Sequence, residues 1–131
     1  MLCRTSIALS CLVLSLLACA TPQQNKEYQL RYENSIPTCN TEQSCKEKWS
    51  AAQAWVVSNC GMKIQLATDT IIETYNPGTT MNLAARVIKE PLGNGRYRLT
   101  IRTWCGNVFG CQVKPWEAAI NFNEYVGRFG N

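Results

Sequence analysis

The chain has 131 residues, a formal net charge of +4 and no histidine. Without histidine, the Ser-His-Asp and Cys-His arrangements that activate nucleophiles are excluded, and so are most zinc and iron sites. The excess of 13 basic over 9 acidic residues is too small to indicate nucleic-acid binding, so we expect one small domain without cofactor, metal or nucleic-acid partner.

The N-terminus has the layout of a secretory signal, because Arg4 precedes an apolar run over residues 5–17. That run is shorter than the roughly 20 residues that a transmembrane helix needs. It ends in Leu16-Leu17-Ala18-Cys19, which closely resembles the lipobox of bacterial lipoproteins. The alternative is an ordinary cleaved signal in which Cys19 has no role.

The resemblance implies a lipoprotein signal peptide over residues 1–18 and lipidation at Cys19, the new N-terminus. Three acyl chains there would form a stable membrane anchor. Ala20 stands where an Asp would direct such proteins to the inner membrane in enterobacteria-like sorting. We therefore expect a lipid-anchored protein of the outer membrane whose domain faces the periplasm.

The cysteines that remain after removal of the signal predict local disulfides. Besides Cys19 the mature chain keeps five: Cys39, Cys45, Cys60, Cys105 and Cys111. An oxidising periplasm favours their pairing. The equal short spacings favour Cys39–Cys45 and Cys105–Cys111, with Cys60 unpaired and buried. The rival Cys39–Cys60 pairing stays open, whereas a helix would hold Cys45 and Cys60 about four turns apart.

The segment after the lipobox differs in composition from the rest of the mature chain. Residues 19–36 are polar and lack a sustained period, which predicts a flexible tether that lifts the domain off the bilayer. The stretch Gln29–Tyr32 could instead add an edge strand. From residue 37 to 131 the pattern is that of one compact domain.

The first helix of that domain is expected to begin at a capping box, Ser44-Cys45-Lys46-Glu47. Apolar residues then recur at helical spacing, with Trp55 beside them, and Gly61 ends the segment. This stripe, formed by Trp49, Ala52, Val56 and Cys60, is typical of a core-facing helix. A ligand platform made of the two tryptophans is the alternative.

The remainder predicts an antiparallel sheet followed by a second helix. Alternating apolar residues mark strands at 62–66, 69–75, 81–88 and 97–103, separated by turns at Asn76-Pro77-Gly78 and Gly93-Asn94-Gly95. Pro115 is suited to the first position of an amphipathic helix. We predict an α+β fold in which an antiparallel three- to four-stranded meander carries an N-terminal and a C-terminal helix on one face, stapled by disulfides.

The central hairpin leads to a candidate surface. A three-residue loop at Gly93–Gly95 with a G1-type bulge places the apolar residues of both strands on one face. On the other face it pairs Leu92 with Arg96, Glu90 with Arg98 and Arg86 with Arg102. The last pair sets like charges opposite each other, which is mildly destabilising unless Glu73 neutralises one. We therefore expect Arg86→Ala to leave the fold intact or slightly more stable.

The candidate binding surface combines this arginine-rich face with an apolar loop tip: Arg86, Arg98, Arg102, Trp104, Val108 and Phe109. A disulfide-closed loop that presents an apolar tip loses little entropy on binding. The alternatives are arginine side chains that simply extend into solvent and a tip that folds back onto the sheet.

These features favour a non-catalytic envelope protein that is attached to the membrane by lipid and binds a protein partner. No catalytic, metal or phosphate-binding motif is present. In architecture alone, the layout loosely resembles accessory lipoproteins of outer-membrane assembly machines. One alternative is a glycan- or anion-binding module that uses the arginines and Trp104. The other is an inhibitor of an envelope-attacking hydrolase, with the Cys105–Cys111 loop as a plug.

Overall fold

The computed structural model describes residues 22–131, so Cys19 and the signal-like segment lie outside the described residues. Three helices and five strands follow in the order α1 Pro22–Ser35, β1 Thr38–Cys39, α2 Glu42–Asn59, β2 Ile64–Ala67, β3 Ile71–Thr74, β4 Leu83–Gly93, β5 Arg96–Cys105 and α3 Pro115–Val126. The strands form one antiparallel sheet in the order β1-β5-β4-β3-β2. The predicted α+β class is confirmed.

The core lies between the sheet and helices α2 and α3. Its fully buried apolar side chains come from both layers and include Val56, Ile72, Val87, Leu99, Phe122 and Val126. Trp55 is also buried, meets Phe122 edge to face and donates its indole N–H to Asn121 Oδ1 at 2.8 Å. The interpretation of the α2 stripe as core packing therefore holds for Trp55.

Helix α1 corrects the prediction of a flexible tether over residues 19–36 for its described part, since residues 19–21 lie outside the described residues. Residues 22–35 are helical, so Gln29–Tyr32 is not an edge strand, and ordered structure begins well before residue 37. The helix buries none of its residues fully, so it has no apolar face that periodicity could reveal. Contacts made by large side chains hold it instead: Arg31 pairs with Glu124 at 2.7 Å, and Tyr28 stacks on Trp116 with 3.7 Å between ring centroids.

The start of α2 also differs from its prediction. Thr41 is the N-cap, and its hydroxyl accepts the Ser44 backbone N–H at 3.1 Å. Ser44 lies inside the first turn, and its hydroxyl donates to the Gly130 carbonyl at 2.6 Å. The predicted capping box at Ser44–Glu47 is therefore wrong, because the helix begins one turn earlier. Ser44 is used instead to hold the C-terminal segment against α2.

The side chains of the β4–β5 hairpin lie on the predicted faces of the sheet, but the turn differs from the predicted one. Asn94 and Gly95 both have positive φ, 55° and 70°, as a two-residue type I′ turn requires. Gly93 then pairs with Arg96, and a bulge between Pro91 and Gly93 restores the alternation. The predicted Leu92–Arg96 pair is wrong for this reason, since Leu92 sits in the bulge. The pairs Glu90–Arg98 and Arg86–Arg102 are confirmed.

Both predicted disulfides are present. Cys39–Cys45 and Cys105–Cys111 each close a loop with a sequence separation of 6, with Cα–Cα distances of 5.1 and 5.9 Å. Cys60 is unpaired and buried, and burial raises the pKa of its thiol to about 12. In a chain-entropy model each short loop contributes on the order of 2 kcal/mol.

Candidate functional site

Helices α2 and α3 cover one face of the sheet, and the candidate arginines lie on the other. Along β4 and β5 the side chains of Leu83, Val87, Leu99 and Ile101 point into the core. The alternating positions between them point away from the helices. We call this second surface the helix-free face, and it carries Arg86, Arg98, Arg102 and Trp104.

Two of the three candidate arginines on the helix-free face are neutralised within the sheet. Arg98 Nε lies 2.5 Å from Glu90 Oε2, and Thr100 donates to the other oxygen of that carboxylate at 3.0 Å. The hydrogen bond from Arg98 holds the pKa of Glu90 below its ordinary value. This pair follows directly from the predicted register, in which the two residues face each other.

Arg86 is paired from the neighbouring strand. It donates from Nε and a terminal nitrogen to the two oxygens of Glu73, at 2.8 and 2.9 Å. This bidentate hydrogen bond holds the pKa of Glu73 below its ordinary value. Glu73 thus neutralises one member of the Arg86–Arg102 pair, as the sequence suggested. The expected gain in stability on removing Arg86 is offset by loss of this pair.

Arg102 differs from the other two arginines, because no carboxylate within residues 22–131 forms an ion pair with it. Its guanidinium lies 6.0 Å from the centroid of the Trp104 ring. The two line an open groove of about 630 Å³ together with Tyr75, whose side chain is 54% exposed. The groove therefore presents one cation without an ion-pair partner together with two aromatic side chains.

The loop closed by Cys105–Cys111, here called the tip loop, projects its apolar residues into solvent. Val108 and Phe109 are 92% and 91% exposed, so the alternative of a tip folded back onto the sheet is wrong. Asn107 shapes the turn, since its side chain accepts the Phe109 backbone N–H at 2.8 Å and its carbonyl accepts that of Gly110 at 3.0 Å.

The base of the tip loop is fixed against the turn that precedes β4. Asn107 Nδ2 donates to the Thr79 carbonyl at 2.6 Å. Gly106 approaches the backbone so closely that a Cβ there would lie 1.8 Å from the Gly78 carbonyl oxygen. Only glycine fits this approach. The tip is therefore an exposed apolar feature on a preorganised support.

Sequence reasoning missed two contributors to these surfaces. The sequence indicates Tyr75 only as the end of a strand, although its place beside β4 brings it to the Arg102 groove. A second groove of about 430 Å³ lies between α2 and α3 and is bordered by Trp116 and Glu117. Neither the place of Tyr75 nor the groove between α2 and α3 could be predicted from the sequence, because each depends on which elements become neighbours in the fold.

The described residues offer no group of three or more cysteine and acidic side chains placed to hold a metal ion. Nor does any helix within residues 22–131 have the length and apolarity to cross a membrane.

Together these observations define a small α+β domain with two locally closed disulfides, one open sheet face and one exposed apolar loop. No protein-family model matches the chain, and neither a curated protein nor a solved structure matches it.

Proposed function

We propose that this protein is a lipid-anchored, periplasm-facing envelope protein that acts by binding a protein partner and not by catalysis. The lipobox-like Leu16–Cys19 supports the anchor, and the two disulfides fit an oxidising compartment. The observation that carries the binding role is the Arg102 groove on the helix-free face.

The residues of this groove are of the types that dominate protein interfaces. Arginine, tryptophan and tyrosine are enriched among the side chains whose truncation costs most binding energy. Here Arg102, Trp104 and Tyr75 line one groove, and the sheet holds the first two on a rigid strand. A partner that places a carboxylate on Arg102 beside an apolar side chain over Trp104 would satisfy both groups.

The charge pattern favours a protein over a polyanion. Of the three candidate arginines on this face, Arg86 and Arg98 already have carboxylate partners, so the face presents mixed charge. A polyanionic glycan would meet two carboxylates, Glu73 and Glu90, along the same surface. A glycan- or anion-binding module remains the second candidate, because aromatic and planar polar side chains share the groove.

The test is site-specific photo-crosslinking in cells. Tyr75→p-benzoylphenylalanine should give one discrete protein adduct, and adding Arg102→Ala or Trp104→Ala should abolish it. Arg128→Ala, which removes an exposed arginine outside the groove, is the matched control and should leave the adduct unchanged. The adduct's protein, once purified, should bind the wild-type domain and lose affinity at least about tenfold with Trp104→Ala.

Salt dependence separates the two candidates. Binding of an anionic glycan led by arginine should weaken steeply with ionic strength, whereas a protein contact centred on Trp104 should weaken little. The absence of any protein adduct together with salt-sensitive retention on an acidic glycan would overturn the protein-binding proposal in favour of the second candidate. The anchor is tested separately, by the mass of acyl chains on Cys19 and their loss in Cys19→Ala.

A further inference from the structure

Helix α1 and the tip loop are brought to one end of the molecule by contacts that can be followed along α1. The Pro37 carbonyl, just after the helix, accepts the Leu99 backbone N–H at 2.9 Å. Earlier in the chain, within the last turn of α1, the Tyr32 hydroxyl reaches the carbonyl of Ile101, also at 2.9 Å. Helix α1 therefore runs antiparallel to β5, so its N-terminus points towards Cys105 at the end of β5.

The contacts with α3 give the same direction. Tyr28 stacks on Trp116 in the first turn of α3, whereas Arg31 pairs with Glu124 near its end. The two helices therefore run parallel, and their N-termini lie at the same end. The tip loop leads into the start of α3, whose Pro115 carbonyl accepts the Thr103 hydroxyl. The N-terminus of α1 and the tip loop thus share one end of the domain.

The proposed lipid anchor would lie at this same end of the domain. Only two residues separate Cys19 from Pro22, the first residue of α1. Three residue steps span at most about 11 Å of extended chain. A lipid on Cys19 would therefore hold the N-terminus of α1 close to the bilayer surface.

The side chains at this end suit a bilayer interface. Val108 and Phe109 are almost fully exposed, and Val113 is half exposed. Behind them, the Lys114 ammonium lies 5.6 Å from the centroid of the partly exposed Trp116 ring. Apolar side chains that enter the acyl region, with tryptophan and lysine at the headgroup level, form the pattern seen where proteins meet membranes.

We infer that the tip loop docks on the same phospholipid bilayer that holds the N-terminal lipid, with Val108 and Phe109 inserted and the sheet standing away from the surface. This inference rests on the proposed lipid at Cys19. Two apolar side chains bind a bilayer weakly by themselves, but the anchor keeps the tip at a high effective concentration. Their insertion would fix the orientation of the domain and leave the hairpin turn at Asn94–Gly95 facing away.

The test is photo-crosslinking of the full lipidated protein in vesicles of phosphatidylethanolamine and phosphatidylglycerol. The probe is p-benzoylphenylalanine, introduced as Phe109→p-benzoylphenylalanine. The matched control is Leu92→p-benzoylphenylalanine, because Leu92 is also an exposed apolar residue and lies at the other end of the β4–β5 hairpin. About ten residues of strand, or roughly 33 Å, separate the two ends. We expect a phospholipid mass adduct at position 109 and none at position 92.

Other outcomes overturn the inference in distinguishable ways. Adducts at both positions, or at neither, would show that the tip does not set the orientation, while the acyl mass on Cys19 would leave the anchor intact. A protein adduct at position 109 in cells would assign the tip to a protein partner, as in a hydrolase inhibitor. An unmodified Cys19 would show that the anchor itself is absent.

A second pair of variants tests insertion by charge. With the probe at Val108, Phe109→Asp should abolish the phospholipid adduct, because a carboxylate resists transfer into the acyl region. Leu92→Asp should leave the adduct at position 108 unchanged. Retention of the adduct in Phe109→Asp would contradict insertion.

Discussion

The Tyr32 hydroxyl donates a 2.9 Å hydrogen bond to the main-chain carbonyl of Ile101 and thereby attaches helix α1 to the edge of the sheet. Strand β1 pairs only with Tyr97 and Arg98, so it ends before reaching Ile101. Tyr32 thus donates a hydrogen bond to a carbonyl on the part of the β5 edge that β1 is too short to cover. Burial raises the pKa of Tyr32, which keeps the donating proton in place well into alkaline pH.

Replacing this hydroxyl should loosen α1. We expect Tyr32→Phe to lower the free energy of unfolding by about 1 kcal/mol, because the Ile101 carbonyl loses its donor. Amide hydrogen exchange in residues 22–35 should accelerate more than exchange in α2. Tyr75→Phe, at an exposed tyrosine, is the control and should change neither quantity. Equal exchange of α1 in wild type and Tyr32→Phe would show that other contacts hold the helix.

The buried thiol of Cys60 should make stability fall at alkaline pH. Its pKa is raised from 9.0 to about 12, so the unfolded chain loses this proton before the folded chain does. Stability from this group is complete below pH 9 and then falls by about 1.4 kcal/mol per pH unit towards pH 12. Urea unfolding at pH 8, 9 and 10 measures the slope.

Cys60→Ala is the control for that slope. Without the thiol, the decrease in stability between pH 9 and 10 should be smaller by nearly the full Cys60 contribution. Tyrosines and lysines titrate in both proteins, so the difference between the two curves isolates Cys60. Parallel curves would mean that the thiol ionises as readily in the folded as in the unfolded state.

Phe109 and Phe122 offer a matched comparison between a surface and a core role. Phe109 is 91% exposed and Phe122 is fully buried. We expect Phe109→Ala to change the free energy of unfolding by less than about 0.5 kcal/mol, whereas Phe122→Ala should cost about 3–5 kcal/mol. Thermal or urea unfolding of both variants checks this. A large loss of stability in Phe109→Ala would mean that the Phe109 side chain packs against the rest of the domain.

The Glu73–Arg86 pair should reveal the repulsion between Arg86 and Arg102. Arg86→Ala removes the ion pair and the like-charge contact together, so its effect on stability should be close to zero. Glu73→Gln should destabilise more, because it leaves Arg86 facing Arg102 without a carboxylate. Comparing Glu73→Gln, Arg86→Ala and the double variant that combines them measures the interaction energy between Glu73 and Arg86.

The same pair has a defined pH dependence. Arg86 lowers the pKa of Glu73, so the stabilisation is present above the ordinary carboxyl pKa and is lost as pH falls through the lowered value. The difference between wild type and Glu73→Gln should therefore shrink in acid and also at high salt. A difference that persisted in acid would assign Glu73 a role other than charge.

Sequence reasoning succeeded where one local pattern decided the structure. The alternation in β4 and β5 placed Arg86 opposite Arg102, and the equal cysteine spacings predicted both disulfides. It failed at α1, because a helix held by Arg31, Tyr28 and Tyr32 leaves no apolar period to detect. It also failed at the start of α2, where both Thr41 and Ser44 are acceptable caps and contact with Gly130 occupies the serine.

The candidate site, too, could be predicted only where a local pattern decides it. The residues of the helix-free face were predicted, because strand alternation determines their side. Tyr75 was missed because its proximity to Trp104 depends on the turn that brings β3 beside β4. The exposure of the tip was left open by the sequence, since a closed loop can fold in either direction, and contacts with Gly78 and Thr79 decide it.

The short span of each disulfide has a consequence for how the chain acquires its cross-links. In a chain delivered N-terminus first, Cys45 is the next cysteine to emerge after Cys39 and appears before Cys60. Cys105 likewise finds Cys111 only after α2 is complete and able to bury Cys60. The order of delivery by itself thus favours the native pairs, so correct oxidation should depend little on a disulfide isomerase.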